Sequence, residues 1–360
     1  MTDLNSENSR SSGEESSAEP LVAESSSAES PSTEFSSAES PSAGAPQLTV
    51  AIPNYNGRAL LEEMLPSLER QTLRPATIVV VDDCSDDDSV TYLADRWPQV
   101  RVVQLPQRGG VTAAMNACLA AADSELVGLF NNDMELHPEC LAELVAELQR
   151  HPEAGSATPK MLDFFERTVL DGAGDLLTWR GGGRRRGHGH RDAGQYDTPE
   201  EVFGPCGGAA LFRRWALERV GDFDEDYFAY YEDIDWAFRA QLAGLHCRYV
   251  PSARLFHRGS ATLGRGMTDS NCYQLWRNPV WLIAKCYPGS SLLRHFPSLL
   301  RGQAGNLYAA VHERKLHVWL RAMRDAGKGL PVALHKRRAV QRSREVSRAQ
   351  LEAAARAGWR

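Results

Sequence analysis

The chain has 360 residues, 42% of them apolar and 24% charged, and a net charge of −7. This is enough for one large or two ordinary domains with a real core. Residues 1–47 sum to about −8, residues 290–360 to about +11 and the body between to about −10, a distribution that suits a cation site in the body and excludes direct nucleic-acid binding as the first expectation.

The seven cysteines (84, 118, 140, 206, 247, 272, 286) form no CxxC pair and no metal-type spacing, which predicts reduced, mostly buried thiols in a cytoplasmic protein. The Ser/Glu-rich start has neither the basic nor the apolar region of a secretory signal, and no stretch has the apolar length of a membrane span. Residues 1–46, with SSAESPS at Ser26–Ser32 and again at Ser36–Ser42, are predicted to form a disordered tail.

Order is expected from Gln47. Leu48–Ile52 reads as a buried strand running into the loop Pro53–Gly57, and Arg58–Gln71 has the apolar spacing of a helix. Thr77–Val81 is a second strand, followed by the acidic loop Asp82–Asp88 and a helix through Trp97. Val100–Leu105 is a third, followed by the turn Arg108–Gly110 and a small-residue helix to Ala122. Leu126–Phe130 is a fourth, ending on Asn131-Asn132-Asp133, with a helix over Pro138–Arg150. Strands alternating with helices in this way predict an α/β fold with a doubly wound, mostly parallel sheet. Ligands of such sheets bind beyond the carboxyl ends of the strands, here the loops NYNG, DDCSDDD, QRGG and NND.

The alternation weakens from Gly155. Trp179–Tyr196, WRGGGRRRGHGHRDAGQY, is too rich in Gly and Arg to pack and is expected to be a long mobile loop, with His188 and His190 facing solvent. Cys206–Phe212 reads as a small-residue strand, and Asn271–Pro288 as an apolar-aromatic helix. Residues 289–360 read as a basic helical extension whose apolar runs, Leu307-Tyr308-Val311 and Leu316-Trp319-Leu320, either dock on an anionic membrane surface or cap the body.

Candidate chemistry concentrates at two places. Asp133 at a strand end is a hard oxygen ligand suited to Mg²⁺ or Mn²⁺, or else part of an Asn/Asp turn. The acidic loop after Val81 is either only a turn and N-cap, with Asp88 or Ser89 starting the next helix, or it offers Asp82 or Asp83 as an acceptor for a nucleobase or ribose. In Gly221–His257, clustered carboxylates alternate with aromatics. On a helix from Glu232 at ~100° per residue, Ile234, Ala237, Phe238, Gln241 and Leu242 form the buried stripe. Glu232, Asp235 and Arg239 share an ion-paired face. Asp233 is left as the carboxylate without a local partner, either a helix cap or a general base. His257 is either an ordinary core histidine or a ligand completing a metal site.

The pieces AIPNYNG, VDDCSDDDS, RGGVTAAMN, FNNDMELHPECL, GGAALFRRWALERVGDFDEDYFAYYEDIDWAFRAQLAG, VPSARLFHRGSAT and RNPVWLIAKCYP, in this order over roughly Leu48 to Pro288, resemble family 2 glycosyltransferases of the GT-A fold, in the subgroup that includes rhamnosyltransferases. The resemblance implies three parts: the tail 1–46, a glycosyltransferase domain over 47–288 and the basic helical region 289–360. It also implies a nucleotide-diphosphate sugar donor with a divalent cation and single-displacement transfer with inversion, to a glycan or lipid-linked acceptor in cell-surface polysaccharide synthesis. The best match of subgroup is to dTDP-rhamnose, with a UDP-hexose as the alternative. Site roles follow by position. Ala51, Pro53, Asp82 and Asp83 hold the nucleoside, and Arg108 and Asn116 lie near the ribose or donor sugar. Asn132 donates to phosphate. Asp133 is the one acid retained in the metal motif, and His257 completes metal ligation. Asp233 is the catalytic base, with Glu232, Asp235 and Trp236 supporting it or the acceptor. From its own composition, the Gly181–Arg191 segment either closes over the diphosphate with its arginines, grips an anionic lipid-linked acceptor, or is a disordered basic insertion. The location implied is cytoplasmic, peripheral on the cytoplasmic face of the membrane. A sugar nucleotidyltransferase would carry a GxGxR-type loop after the first strand, where NYNG stands instead, and the retained Asp133, Asp233 and His257 argue against an inactive sugar-binding protein.

Overall fold

The computed structural model describes residues 47–259 and 268–359, so the expectation for 1–46 falls outside the described residues. The strands are β1 (Leu48–Asn54), β2 (Thr77–Asp82), β3 (Arg101–Gln104), β4 (Leu126–Phe130), β5 (Met134–Leu136) and β6 (Ala154–Asp163), then β7 (Leu170–Gly172), β8 (Asp175–Thr178), β9 (Gly182–Arg185), β10 (Glu200–Val202), β11 (Ala209–Arg213) and β12 (His246–His257). The helices are α1 (Arg58–Glu69), α2 (Ser89–Arg96), α3 (Val111–Ala121), α4 (Cys140–Arg150) and α5 (Arg214–Val220), then α6 (Glu232–Leu242), α7 (Asp269–Cys286), α8 (Gly289–His312), α9 (Leu316–Arg342) and α10 (Arg348–Ala354).

The main sheet runs β10-β12-β6-β11-β4-β1-β2-β3. Strands β3, β2, β1 and β4 pair in parallel, β12 pairs with β6 in parallel, and β11 runs antiparallel between β4 and β6. The α/β expectation with a mostly parallel sheet and a helical C-terminal region therefore holds. The predicted strand over Leu126–Phe130 is observed with those bounds, and the other early elements shift by a few residues at their ends.

The sequence explains the layering. In β1, Val50 and Ile52 point into one core with Leu61, Met64, Leu65 and Leu68 of α1 and Leu141, Leu144 and Leu148 of α4, while Ala51 points into a second core with Met115 and Leu119 of α3. The helical residues repeat at i, i+3, i+4 and i+7, so each helix lays one stripe on the sheet. β4, LVGLF, is buried throughout because both its faces are covered. A third core, including Ile234, Phe238, Leu282, Tyr287 and Leu299, joins α6 to the C-terminal helices.

The segment expected to be a mobile loop is instead folded. Gly182–Arg185 pairs antiparallel with Asp175–Thr178. Its glycines permit close approach, since a Cβ on Gly183 would overlap Ile234 and one on Gly182 would overlap the Tyr231 hydroxyl. Arg186 is only 2% exposed; it donates to the Ala173 carbonyl at 2.7 Å and to Glu200 at 2.8 Å, between the rings of Tyr196 and Tyr249. Buried Lys160 on β6 ties down Asp192 at 3.0 Å as well as Asp197. Composition misled here because guanidinium groups pack when carboxylates and aromatic faces receive them. The cysteines are free thiols, six of them buried and Cys84 exposed. Among the described residues, no helix is long and apolar enough to cross a membrane.

Candidate active site

The carboxyl ends of β1, β2 and β4 open into a cleft of about 400 Å³, walled on the far side by the residues before α6 and by β7 and β9. Of the residues singled out from sequence, Pro53, Asp83, Arg108, Asn132, Asp133, Glu232, Asp233 and His257 line it. Ala51, Asp82, Asn116, Asp235 and Trp236 do not, although all are close in the fold.

Each of those five has a different occupation. Ala51 is buried in the sheet. Asp82 accepts from Asn54 Nδ2 at 3.0 Å and from the Ser85 backbone and hydroxyl at 2.9 and 2.6 Å, and Asn54 in turn accepts from Asn132 at 2.8 Å. This chain of side chains fixes the NYNG and NND loops against each other, and Gly57 leaves room for it, since a Cβ there would overlap Asn132 and Asn54. Asn116 bridges α3 to the Phe223 backbone, accepting and donating at 2.9 Å. Trp236 is buried against Phe212, with Nε1 donating to the Gly221 carbonyl at 3.1 Å. Asp235 is fully buried and bound by Arg239 at 2.9 Å, Lys285 at 2.7 Å and the Tyr227 hydroxyl at 3.0 Å; burial alone would raise its pKa, and the two cations hold it lowered.

Asp83 takes a loop role that the sequence reading did not anticipate. Its two oxygens accept from the backbone amides of Gly109 and Gly110 at 2.6 and 2.9 Å, so the QRGG turn is clamped to β2. Arg108 then lies 3.9 Å over the Tyr55 ring, which leaves a cation and an aromatic face at the mouth.

The metal candidates meet. His257 at the end of β12 has Nε2 3.3 Å from Asp133 Oδ1 and Nδ1 2.8 Å from Asp171 Oδ2. Among the described residues, buried Asp133 Oδ1 has this 3.3 Å ion pair with His257 and no hydrogen bond of good geometry. A carboxylate oxygen beside an imidazole nitrogen offers two ligands of types that divalent cations accept, while among the described residues no group of three or more His, Cys, Asp or Glu is placed to hold one. Burial by itself would lower the His257 pKa, but Asp133 and Asp171 outweigh it and push it up to about 9.

Asp171 and Arg185 were not found from sequence. Arg185 reaches Asp171 at 2.8 Å, and the His188 ring donates to the Asp171 carbonyl at 2.9 Å; His188, expected to face solvent, sits on the cleft wall with 63% of its side chain exposed. Burial works to raise Asp171, yet the histidines and Arg185 hold it well below the carboxylate range. The only sequence signal was the segment DGAGD, two acids around small residues, both of which prove buried at Asp171 and Asp175.

Asp233 stands at the first turn of α6, where Oδ1 accepts from the Ile234 amide at 2.7 Å. Its pKa is raised by burial, partly countered by backbone donors and by the Arg185 charge. Asp175 beneath it is raised to about 7 by burial and by the Asp233 charge. Glu232 does not join the ion-paired face expected of it. The Arg239 guanidinium is already filled by Asp235 and the carbonyls of Val220 and Asp222. Glu232 turns to the cleft, 7% exposed, with Oε2 unpartnered and its pKa pushed up to about 8 by burial and by Asp233. Of the two, Asp233, buried on the cleft with a raised pKa, has the form a general base takes.

The aromatic stretch before α6 is strained. Phe228, Tyr230 and Tyr231 have φ of +64°, +63° and +78°, a region costly for residues with a Cβ. Buried Asn278 on α7 holds it, donating to the carbonyls of Ala229 and Tyr230 at 2.9 and 2.7 Å and of Tyr227 at 3.3 Å.

Residues 49–221 match the model of glycosyl transferase family 2. Over 240 residues the chain is 29% identical to an N-acetylglucosaminyl-diphospho-decaprenol L-rhamnosyltransferase of Mycobacterium tuberculosis, covering 61% of this chain and 78% of that one. Among solved structures, S. aureus TarS 1-349 in complex with UDP-GlcNAc is similar with a TM-score of 0.55 at 18% identity, covering 86% of this chain and 89% of that one. GalNAc-T7 with UDP, GalNAc and Mn²⁺ is similar with a TM-score of 0.53 at 15% identity, covering 76% of this chain and 58% of that one.

Proposed function

We propose that this chain, a family 2 glycosyltransferase with a GT-A fold, performs inverting, divalent-metal-dependent transfer of a sugar, rhamnose from dTDP-rhamnose, to a lipid-diphosphate-linked glycan acceptor in cell-surface polysaccharide synthesis. The observation that carries the reading is the meeting of Asp83, Asp133, His257 and Asp233 on one cleft. The rhamnosyl group and the lipid-diphosphate acceptor follow the name of the Mycobacterium tuberculosis relative, the dTDP carrier follows the subgroup resemblance of the sequence, and the cation is supported by the Asp133 oxygen beside His257.

In this reading Asp83 and Arg108 receive the nucleoside, and the amide of Asn132 donates to the diphosphate. Asp133 and His257 would hold Mg²⁺ or Mn²⁺, which when bound supplies positive charge to the diphosphate leaving group. Asp233 takes the proton of the acceptor hydroxyl as its oxygen bonds to the anomeric carbon. The bond from that carbon to the diphosphate oxygen breaks, and the nucleoside diphosphate leaves with the electron pair. Phe228, Ala229 and Tyr230 wall the reacting sugars from water.

The test is thermal stabilisation of the purified chain by dTDP-rhamnose, UDP-glucose, UDP-N-acetylglucosamine and GDP-mannose, each with Mn²⁺ or with chelator, followed by mass spectrometry of products formed on a polyprenyl-diphosphate amino sugar. dTDP-rhamnose should give the largest cation-dependent shift and a product one deoxyhexose heavier. A larger shift and turnover with a UDP-hexose would reassign the donor; no shift with any donor would end the proposal.

A further inference from the structure

Helix α8 contains no acid between Gly289 and His312. One face is seated on the body. Leu299 and Ala310 are buried there, the Trp179 ring stacks on His295 at 3.9 Å, and Gly302 lies where a Cβ would overlap the Arg180 carbonyl. At ~100° per residue, a separate stripe faces away from it. Leu293, Phe296, Leu300, Leu307, Tyr308 and Val311 are exposed by 82, 57, 53, 38, 71 and 57%, along about 27 Å of helix. Single exposed apolar residues are ordinary, whereas a continuous stripe marks an interaction surface.

Charge decides what covers it. Residues 289–342 hold eleven bases and two acids. Arg294, which also pairs with Glu352 at 3.4 Å, and Arg301 fall on one flank of the stripe, and Glu313 and Arg314 lie just beyond its end. Two copies of so positive a face would repel each other, while an anionic surface is attracted. An acid-free helix with an apolar stripe, aromatics within it and arginines along its edge has the form of an interfacial helix. Since no described helix is long and apolar enough to cross a membrane, the helix lies on the surface.

We propose that the Leu293–Val311 face of α8 rests in the plane of an anionic lipid bilayer, with Arg294, Arg301 and Arg314 at the headgroups. This deepens the lipid-linked acceptor reading. The turn Trp179–Gly181 sits on α8, with Ile283 and Leu299 next to Gly181, and Arg185, four residues along the same strand, lines the cleft. That spacing is about 13 Å, so docking by α8 holds the cleft close to the bilayer where a lipid diphosphate sugar stands.

The test is sedimentation of the full chain with vesicles of phosphatidylcholine alone or with about one-third phosphatidylglycerol. The chain should bind the anionic vesicles at least about tenfold more tightly than the neutral ones. Leu300→Glu/Leu307→Glu/Val311→Glu should weaken this binding about tenfold or more, with melting temperature and donor-induced stabilisation unchanged. Arg301→Gln/Arg314→Gln should weaken it severalfold and flatten its salt dependence. Binding to neither vesicle, or equal binding by the triple variant, overturns the proposal. So does a dimer that the triple variant breaks while vesicle binding persists, since the occupant is then a second copy. Loss of turnover with every donor would instead strike the functional reading and leave the vesicle result standing.

Discussion

Gly207 and Asp233 are in contact so close that a Cβ on Gly207 would overlap Asp233 Oδ2, and the Gly207 backbone also hydrogen-bonds the carboxylate. The glycine, twenty-six residues upstream, therefore sets where the proposed base sits. Gly207→Ala should lower kcat about 100-fold, the scale of a displacement near 1 Å, while the affinity for nucleotide sugar stays within about twofold. Steady-state kinetics with calorimetric donor binding read both. A normal kcat in Gly207→Ala would mean that the Asp233 position is not critical. Asp233→Asn should abolish transfer and leave donor binding intact.

The acid limb of the rate profile follows from the surroundings of Asp233. Burial raises its pKa and the Arg185 charge lowers it, so the rate should climb with pH through a midpoint above the ordinary aspartate value of 3.8. Arg185→Met removes the favourable charge and should move that limb to higher pH. Asp175, raised to about 7 by burial and by the Asp233 charge, is neutral while Asp233 ionises, so Asp175→Asn should leave that limb in place. A kcat–pH series on the three proteins checks both, and an unmoved limb in Arg185→Met would separate Arg185 from the base.

Asp171 holds His257 through Nδ1 at 2.8 Å, which fixes the ring so that Nε2 faces Asp133. Asp171→Asn should weaken Mn²⁺ binding about 10–100-fold, measured by the paramagnetic resonance signal of free Mn²⁺ without any turnover. Asp133→Ala should weaken it at least as much. Unchanged affinity in both would remove this pair as the cation site.

Glu232 gives a stability signature. Its folded pKa, pushed up to about 8 by burial first and Asp233 second, exceeds the usual 4.5, so the native state binds the extra proton. Its contribution is fully present below about pH 4.5, declines as pH rises and is gone above about pH 8. Glu232→Gln keeps a neutral side chain at every pH. Its gain over wild type should therefore grow across that window to about 1–3 kcal/mol, read by urea unfolding at pH 5, 7 and 9. A gain independent of pH would contradict the buried, unpartnered carboxylate.

Asn278 holds three carbonyls of the strained stretch before α6. Asn278→Ala should cost about 2–4 kcal/mol and depress kcat more than donor affinity. Wild-type stability and kcat would mean that the left-handed residues Phe228, Tyr230 and Tyr231 keep their form without it.

Sequence alone carried the parallel βα alternation, the strand-end loops as the cleft floor, and the separation of Asp233 from the paired Asp235 and Arg239. These follow from periodicity and from helix angles, which neighbouring residues encode. It also brought out Asp133 and His257, whose meeting in the cleft agrees with the residue types. The rest depended on how distant segments of the chain meet. Asp171 and Arg185 enter through short strands whose pairing joins residues far apart in the chain, and WRGGGRRRGHGHRDAGQY packs because Asp171, Glu200 and two tyrosine rings receive its arginines. Glu232 and Asp235, three residues apart on one helix, part company: Lys285 and Arg239 close around Asp235, and among the described residues no cation pairs with Glu232. Local sequence carries the faces of a helix, but which charge meets which face is settled by distant chain segments that lower or leave standing the cost of burial.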